Sequence, residues 1–255
     1  MYSFLLVLSR LTLLQISFYI GIYDEVVYGK CRKILSYKEE MMNIYQLPLG
    51  PLQTNAYLLH DEQTNELLII DPGSDGEQVI EKIRTLNASP LAILLTHAHF
   101  DHIGAVDKLR EHYQIPVYLH KNEEDWLQDS SLNGSNRFGM PEVIVKPADV
   151  IIESEQKKTI GSFSFEILET PGHSPGSLSY LFKDEGFVAS GDALFYQSIG
   201  RTDLPFGDHE TLLQSIQQKL LRLPKDTIVA PGHGPKTTIG FEGDNNPFLT
   251  DLNGQ

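Results

Sequence analysis

Histidine and aspartate side chains crowd the run from His97 to His102, which reads His-Ala-His-Phe-Asp-His. Three imidazoles and one carboxylate within six positions offer enough ligands for two adjacent metal ions. The apolar segment 91–96 precedes the run and predicts a buried strand, so the ligands would stand on a loop at the end of a rigid sheet. The alternative is a surface loop that is rich in histidine by chance, and later segments argue against it.

Three later segments offer further ligands, each directly after a predicted strand. His173 lies in residues 170–177, and His233 lies in residues 231–235. Glycine and proline flank both histidines and predict tight turns that can hold an imidazole at one position. Asp192 follows another strand, where its two oxygens could bridge two cations. Together with the first run, these segments place a ligand beyond four separate strands and predict one shared metal site.

Strand and helix signals alternate from Met42 onward in two similar halves. This order predicts two sheets packed face to face with helices outside. Residues 121–147 are less regular, and Ser130 to Gly139 is expected to form a surface loop beside the site. The predicted strands are residues 43–47, 55–60, 67–71, 91–96, 116–120, 150–153, 159–168, 177–182, 186–190 and 227–230, and the predicted helices are residues 75–86, 103–113, 209–223 and 245–252.

Composition and charge exclude some classes of function. The chain has 255 residues, of which 41% are apolar, which suits one large domain with or without a small appendage. Its net charge is −14, and no basic stripe offsets it, so a nucleic acid is a poor candidate partner. Cys31 is the only cysteine, which excludes an internal disulfide and a cysteine-rich zinc site.

Residues 1–41 differ from the rest of the chain. Phe4 to Tyr23 is strongly apolar and could be a leader or a membrane anchor, since a spanning helix needs about 20 such residues. Arg10 near its middle fits an anchor poorly, and no clear cleavage site follows. Met41-Met42 stands directly before the first predicted strand, after a Lys-Glu-Glu whose codons can resemble a ribosome-binding site. We therefore expect a mis-assigned start, which would make the protein cytoplasmic; a leader or an anchor, with export or membrane attachment, is the alternative.

The ligand run, with its spacing His97-x-His99-x-Asp101-His102 and its three later partners, resembles the metallo-β-lactamase superfamily over residues 42–255. The resemblance implies a mixed α/β protein, a four-layer αββα sandwich with its site at the open edge between the sheets. It also implies two divalent metal ions, with zinc expected and iron or manganese as alternatives. The implied ligands are His97, His99 and His173 for the first ion and Asp101, His102 and His233 for the second, with Asp192 as the bridge.

The expected chemistry is hydrolysis. Two divalent ions about 3.5–4 Å apart can share one water and lower its pKa to about 7, and the bridging hydroxide then attacks an electrophilic carbon or phosphorus. No serine or cysteine nucleophile is required, which favours direct hydrolysis over a covalent intermediate. We expect Asp101 and Asp192 to be the catalytic carboxylates.

Two stretches around the ligands are more selective. Residues 51–58 and 191–205 resemble hydroxyacylglutathione hydrolases (glyoxalase II), especially their short bacterial members. This resemblance implies a thioesterase that acts on a small acyl-thiol substrate. Full-length glyoxalase II enzymes add a helical domain that forms much of the glutathione site, whereas residues 234–255 contain only one basic residue, Lys236. The thiol half of the substrate therefore stays open. Arg201 is expected to buttress its own loop, with contact to an anionic substrate as the alternative.

Other activities of the superfamily are alternatives. Antibiotic hydrolysis is not expected as the main activity, because the cysteine-containing lactamases have a cysteine where this chain has Asp192, and the remaining class lacks a bridging aspartate there. A persulfide dioxygenase would hold one iron through His97, His173 and Asp192. A lactonase could use Tyr196 as an oxyanion donor, although a packed aromatic is the simpler interpretation. A non-catalytic metal-binding module fits a complete ligand set least well.

The remaining histidines are expected to have no role in the site. We expect His112 and His209 to be solvated, and His60 and His120 end predicted strands without comparable turns. Asp71 either supports a ligand from behind or caps a turn, and the sequence does not separate these two interpretations. The oligomeric state is open, and no membrane partner is expected unless residues 1–23 form a real anchor.

Overall fold

A computed structural model describes residues 42–137 and 141–249. The predicted division of the chain at Met42 and the interpretations of residues 1–41 concern a segment outside this described part, so they stay predictions. Within the described part, no helix is long and apolar enough to cross a membrane.

The first sheet has six strands that follow one another in chain order. Its first three strands are antiparallel, and its last four are parallel. Parallel neighbours need long crossover connections, and helices supply those that flank the fourth strand. The strands are β1 (Met42–Leu49), β2 (Thr54–Asp61), β3 (Glu66–Ile70), β4 (Ser89–Leu94), β5 (Val117–His120) and β6 (Val150–Ile152), and the helices are α1 (Gly76–Leu86), α2 (Phe100–Ile103) and α3 (Val106–Tyr113).

The second sheet also has six strands. A separate ribbon of two short strands lies in the chain between the fourth and the fifth of these strands. Most pairs in the six-stranded sheet are antiparallel, and one pair, formed by Phe187–Gly191 and Ile228–Pro231, is parallel. Its strands are β7 (Gln156–Ile160), β8 (Phe163–Glu169), β9 (Leu178–Phe182), β10 (Phe187–Gly191), β13 (Ile228–Pro231) and β14 (Thr237–Thr238); the ribbon is β11 (Leu194–Phe195) with β12 (Ser198–Ile199), and the helices are α4 (His209–Ser215), which continues as a π-helical turn over Ile216–Leu220, and α5 (Ile239–Asn245).

Three apolar layers hold the two sheets and the helices together. Leu58 packs in the outer layer of the first sheet against α1 and α3, while its neighbour Leu59 faces the second sheet. This alternation explains why the strands read as nearly continuous apolar runs, since both faces are buried. The third layer joins the outer face of the second sheet to α4 through residues such as Leu212 and Ile216. The predicted four-layer αββα sandwich is confirmed.

Some element boundaries differ from the prediction. The helix predicted over residues 103–113 is two helices, because the Ala105 N–H donates to the Pro72 carbonyl at 2.9 Å instead of continuing one helix. The strand predicted over residues 159–168 is two strands, and the chain reverses between the paired residues Ile160 and Phe163.

The predicted terminal helix over residues 245–252 was wrong. The helix lies earlier, over Ile239–Asn245, where the Thr238 hydroxyl accepts a hydrogen bond from the Phe241 N–H at 3.2 Å and caps the first turn. Residues 246–249 form turns, and the residues beyond them lie outside the described part. Two glycines inside the helix weaken its signal in the sequence, because glycine is a poor helix former.

Gly191 lies where the two sheets approach each other closely near the ligands. Its φ is +50°, and an added Cβ would collide with the Thr96 side chain at the end of the first sheet. Gly186 has a similar φ of +61° but has open space where a Cβ would lie. Comparing alanine substitutions at the two glycines therefore separates the cost of backbone strain from the cost of a steric clash.

We predict that Gly191→Ala destabilises the protein by about 3 kcal/mol or more, whereas Gly186→Ala costs about 1–2 kcal/mol from its left-handed backbone alone. Urea unfolding of both variants at one metal concentration measures the difference. Equal losses would show that Thr96 yields to the added methyl group.

Candidate metal centre

Seven residues that the sequence marks as ligands lie at one edge of the sandwich, where strands of both sheets end. They are His97 and His99 after β4, Asp101 and His102 in α2, His173 after β8, Asp192 after β10 and His233 after β13. Their ligand atoms form three overlapping groups, and within each group all atoms lie within 4.8 Å of one another. These groups are His97 with His99 and His173; His97 with His102 and Asp192; and Asp101 with His102 and His233.

His97 is oriented from behind by Thr96. The Thr96 hydroxyl donates to an Asp71 carboxylate oxygen at 2.6 Å and lies 3.0 Å from Nδ1 of His97. Since the hydroxyl proton is already used, Nδ1 must be the donor, which leaves a lone pair on Nε2. Nε2 is buried and has no hydrogen-bond partner among the described residues.

His102 is held in the same way by the same carboxylate. Its Nδ1 lies 3.0 Å from Asp71 Oδ2, the same oxygen that accepts the Thr96 hydroxyl. Its Nε2 lies 3.6 Å from Asp101 Oδ2 and 3.4 Å from Asp192 Oδ1, too far for a normal hydrogen bond. Asp71 also accepts the Thr96 N–H at 2.7 Å, so it fixes the start of the ligand loop as well as supporting a candidate ligand. Of the two interpretations that the sequence left open, these contacts favour support of a ligand, because both partners lie far from Asp71 in the chain.

His99 and His173 present ring nitrogens to each other. The His173 Nδ1–H donates to the Arg201 carbonyl at 2.8 Å, which leaves the lone pair on its Nε2. That Nε2 lies 2.9 Å from Nδ1 of His99. At this distance the two nitrogens are within hydrogen-bond range, and together with His97 they form a group that could hold one ion.

Asp192 lies between the two sets of imidazoles. Its Oδ2 is 3.6 Å from His173 Nε2 and 3.7 Å from His233 Nε2, while its Oδ1 is buried without a hydrogen-bond partner among the described residues. A carboxylate that is nearly buried and so poorly paired is costly unless a cation balances it. Its position between both groups is the one that a bridging ligand needs.

The electrostatics of the imidazoles differ across the cluster. Burial and the neighbouring His102 ring lower the pKa of His97, and burial together with His173 lowers the pKa of His99 to about 3. Burial opposes a charge on His102 as well, but the carboxylates of Asp101 and Asp192 raise its pKa well above the usual value. A neutral imidazole is the form that binds a metal, so His97 and His99 are already in the required state.

The carboxylates are in the required state too. Burial raises the pKa of Asp192 and of Asp101, but His102 and the other imidazoles around each carboxylate together lower it well below the usual range. Buried lone pairs without partners, neutral imidazoles at His97 and His99, and ionised carboxylates fit a pair of divalent cations. The donor set contains no thiolate, which is compatible with zinc, iron or manganese.

Residues Thr54 to Tyr57 hold the His233 turn in place. The Thr54 hydroxyl donates to Asp101 Oδ2 at 2.8 Å, and the Asn55 N–H donates to the Gly232 carbonyl at 2.7 Å. The Tyr57 hydroxyl donates to the Pro231 carbonyl at 2.8 Å. This stretch is part of the segment that resembles hydroxyacylglutathione hydrolases, and its contacts tie β2 of the first sheet to a ligand turn of the second.

Glu123 is the residue that sequence reasoning missed. Its buried side chain accepts the Ala98 N–H at 2.6 Å and the Gly176 N–H at 2.7 Å, so it joins the loop of His97 to the loop of His173. Burial raises its pKa, and hydrogen bonds from Ser174 and these two backbone groups oppose that rise. Its flanking residues are polar and acidic, so no local signal in the sequence separates Glu123 from a solvated surface glutamate.

The other residues singled out from the sequence lie outside the ligand cluster. His112 and His209 are exposed, His120 bonds Glu169 at 3.1 Å, and buried His60 has no hydrogen-bond partner among the described residues. Tyr196 stacks on Phe241, with ring centroids 5.2 Å apart.

Arg201 has two structural contacts. Its guanidinium pairs with both oxygens of Asp203 at 2.7 and 2.8 Å, and its carbonyl accepts the hydrogen bond from His173. The charge of Arg201 is therefore balanced by Asp203 within its own loop, and its carbonyl supports the candidate ligand His173.

An open cleft of about 660 Å³ lies over the cluster. The Trp126 ring centroid lies 5.5 Å from that of His99, and the centroid of the exposed Phe206 ring lies 5.6 Å from that of Trp126. These two aromatic side chains form an apolar patch beside His99. Most of the cleft wall is apolar, and its apolar residues include Leu52, Phe100, Leu132, Phe195, Ile199 and Leu204. Such a cleft suits a small, partly apolar molecule whose reactive bond lies over the ligands.

Comparison with known proteins agrees with this geometry. The model of the metallo-beta-lactamase superfamily matches residues 49–233, which contain all seven candidate ligands. The chain belongs to the metallo-β-lactamase superfamily. Within this superfamily, a probable metallo-hydrolase of Bacillus subtilis (strain 168), YqgX, is 55% identical over 204 residues, covering 80% of this chain and 96% of the relative. This protein is thus a metallo-hydrolase of that superfamily.

Other relatives have names or descriptions that state a more specific activity or a bound metal. Hydroxyacylglutathione hydrolase GloC of Haemophilus influenzae is 39% identical, covering 82% of this chain and 98% of GloC. The crystal structure of BLEG-1 B3 metallo-beta-lactamase is 57% identical with a TM-score of 0.80, over 82% of this chain and 100% of that one. TTHA1623, crystallised in a di-iron-bound form, is 40% identical with a TM-score of 0.72, over 80% of this chain and 100% of that one.

We predict that Glu123→Gln lowers the free energy of unfolding by about 2–3 kcal/mol, because the amide replaces a charged acceptor and turns an NH₂ group toward one of two backbone donors. Misalignment of the two ligand loops should also weaken metal binding about 10–100-fold.

Chemical unfolding and metal titration check these two effects of Glu123→Gln. Exposed Glu124 provides the matched control, and Glu124→Gln should change stability by less than about 0.5 kcal/mol. Equal behaviour of the two variants would contradict the role of Glu123.

Proposed function

We propose that this metallo-hydrolase cleaves small acyl-thiol thioesters of the hydroxyacylglutathione type. The observation that carries the proposal is the similarity to GloC, which covers 98% of that relative's length. A protein of this span can therefore bear that activity without the helical domain of full-length glyoxalase II. The apolar cleft over the ligand cluster is compatible with a small acyl-thiol.

Each ligand would have a defined role in the proposed reaction. His97, His99 and His173 would hold one ion, and the second would be held by the group of Asp101, His102 and His233, with Asp192 shared. When bound, two divalent ions would supply a water acidic enough to ionise near neutral pH.

Asp101 would move the proton. Its carboxylate lines the cleft, and Thr54 fixes it through a hydrogen bond to Oδ2. The water oxygen would bond to the thioester carbonyl carbon while its proton passes to Asp101. The carbon–sulfur bond then breaks, and the proton returns to the thiolate, which gives a free acid and a free thiol.

The proposed metal is zinc, with iron as the main alternative. The di-iron form of the relative TTHA1623 supports two ions and raises iron as an occupant for this ligand set. A single iron on His97, His173 and Asp192 would instead accompany persulfide oxidation.

A β-lactam is the second candidate substrate. The similarity to a protein that bears the name BLEG-1 B3 metallo-beta-lactamase favours it, at 57% identity over the full length of that chain. It weighs against the expectation that antibiotic hydrolysis is not the main activity. The cleft over the ligand cluster suits either a small thioester or a β-lactam. We also propose that the protein has no nucleic-acid partner, in keeping with its acidic composition, and that it is cytoplasmic if translation starts at Met41 or Met42.

We predict that His99→Ala and Asp192→Ala each lower thioesterase activity to below a few per cent of wild type, because each removes a donor from the cluster. Exposed His112 supplies the control, and His112→Ala should retain full activity. Metal content by mass spectrometry and activity after chelation and reloading complete the measurement. Substantial activity in either ligand variant would contradict the assigned role.

We also predict that the metal-loaded enzyme hydrolyses S-lactoylglutathione with a kcat/KM at least tenfold above that for a β-lactam such as nitrocefin. Parallel assays include glutathione persulfide with oxygen uptake. Two metals per chain with thioester turnover would agree with the proposal. Preference for nitrocefin would make the protein a lactamase, and one iron with oxygen uptake would make it a dioxygenase.

A further inference from the structure

The cleft wall contains two basic side chains among the described residues, Arg137 and Arg201. The guanidinium of Arg201 is matched by Asp203 through two short hydrogen bonds. The Arg137 guanidinium has no carboxylate within 4.0 Å among the described residues, and its one side-chain hydrogen bond to them is a long one of 3.5 Å to the Ser131 carbonyl. Arg137 therefore faces the cleft region with its charge and most of its donors unused.

The turn that carries Arg137 is firmly built. Asn133 is fully buried, and its side-chain amide donates to the carbonyls of Trp126 and Val143 at 3.1 and 2.8 Å. The Ser135 N–H donates to the Asn133 side chain at 3.0 Å. The Phe100 N–H donates to the Asn133 carbonyl at 3.1 Å, which ties the turn to the helix of Asp101. The base of Arg137 is thus fixed relative to the candidate metal centre.

Arg137 is an unmatched cation in an acidic chain, in which Asp and Glu outnumber Lys and Arg by 34 to 20. Apolar residues Leu132 and Phe100 line the same cleft as Arg137 and the ligand His99. A molecule that spans these features would have its reactive bond over the ligands, an apolar or neutral middle and an anionic end.

We propose that Arg137 is a specificity-determining residue that binds a carboxylate of the substrate, at the end away from the scissile thioester. A guanidinium suits this role because its planar donors match the two oxygens of a carboxylate. The inference rests on the proposed thioesterase function and narrows its substrates to anionic acyl-thiols.

The carboxylate can belong to the thiol half or to the acyl half of the substrate, and three thioesters separate these sources. S-lactoylglutathione has an anionic thiol half, S-succinyl-N-acetylcysteamine has an anionic acyl half, and S-lactoyl-N-acetylcysteamine is neutral. Each is assayed with metal-loaded wild type, Arg137→Ala, Arg137→Lys and the control Arg222→Ala. Arg222 is exposed and does not line the cleft.

Arg137→Ala should raise KM about tenfold for one of the two anionic thioesters, as expected for the loss of a charge-assisted hydrogen bond. It should leave kcat unchanged, because the contact is made equally in the ground state and the transition state. The neutral thioester should be unaffected, Arg137→Lys should recover part of the loss, and Arg222→Ala should match wild type. The thioester that responds identifies the half that carries the carboxylate.

Equal KM values for wild type and Arg137→Ala on both anionic thioesters would overturn the inference, and so would an equal loss on the neutral one. If wild type hydrolyses no thioester, the proposed function fails, and calorimetric binding of the thioether S-hexylglutathione then tests Arg137 by itself. Affinity at least fivefold weaker in Arg137→Ala would still support a carboxylate site. Equal affinity, or no binding to wild type, would overturn it.

Discussion

The site depends on keeping five imidazoles and two carboxylates close together, although inward atoms of His97, His102 and Asp192 have no hydrogen-bond partner among the described residues. Such an arrangement is unfavourable without a cation, because buried polar atoms lose their hydration and gain nothing in return. The fold must therefore hold the side chains against that cost. It does so from behind, by using the other nitrogen of a ring or the backbone of the loop rather than the atoms that face the centre.

Two buried carboxylates do most of this holding. Asp71 accepts hydrogen bonds from both donors of Thr96 and lies against the His102 ring, so one side chain orients the neighbourhood of two imidazoles. Glu123 accepts one backbone N–H from each of two ligand loops that are more than seventy residues apart in the chain. Anionic acceptors are effective here because hydrogen bonds to a charged group in a buried setting are stronger than neutral ones.

The sequence predicts the ligands better than it predicts their supports. His173 and His233 stand out because they are chemically distinctive residues in rigid turns at strand ends, and such patterns are local. Glu123 could not be found, since its role arises only when the Ala98 and Gly176 backbones meet it in the folded chain. The two packed sheets followed from the alternation of strand and helix signals, and the four-layer sandwich followed from the resemblance to the superfamily. The helix Ile239–Asn245 was missed because its two glycines weaken the helix signal and a single threonine cap starts it.

The hydrogen bonds that join the sheets at the ligand edge have a consequence for how new activities can arise. Leu178 N–H donates to the Thr96 carbonyl, and Asn55 N–H donates to the Gly232 carbonyl, so backbone of one half secures turns of the other. The cleft wall, by contrast, includes connections such as residues 130–137 and 203–206, which lie outside these links. Insertions or exchanges there can change which molecule is accepted while the reactive centre keeps its geometry. The same fold can thereby support hydrolases that act on unrelated substrates.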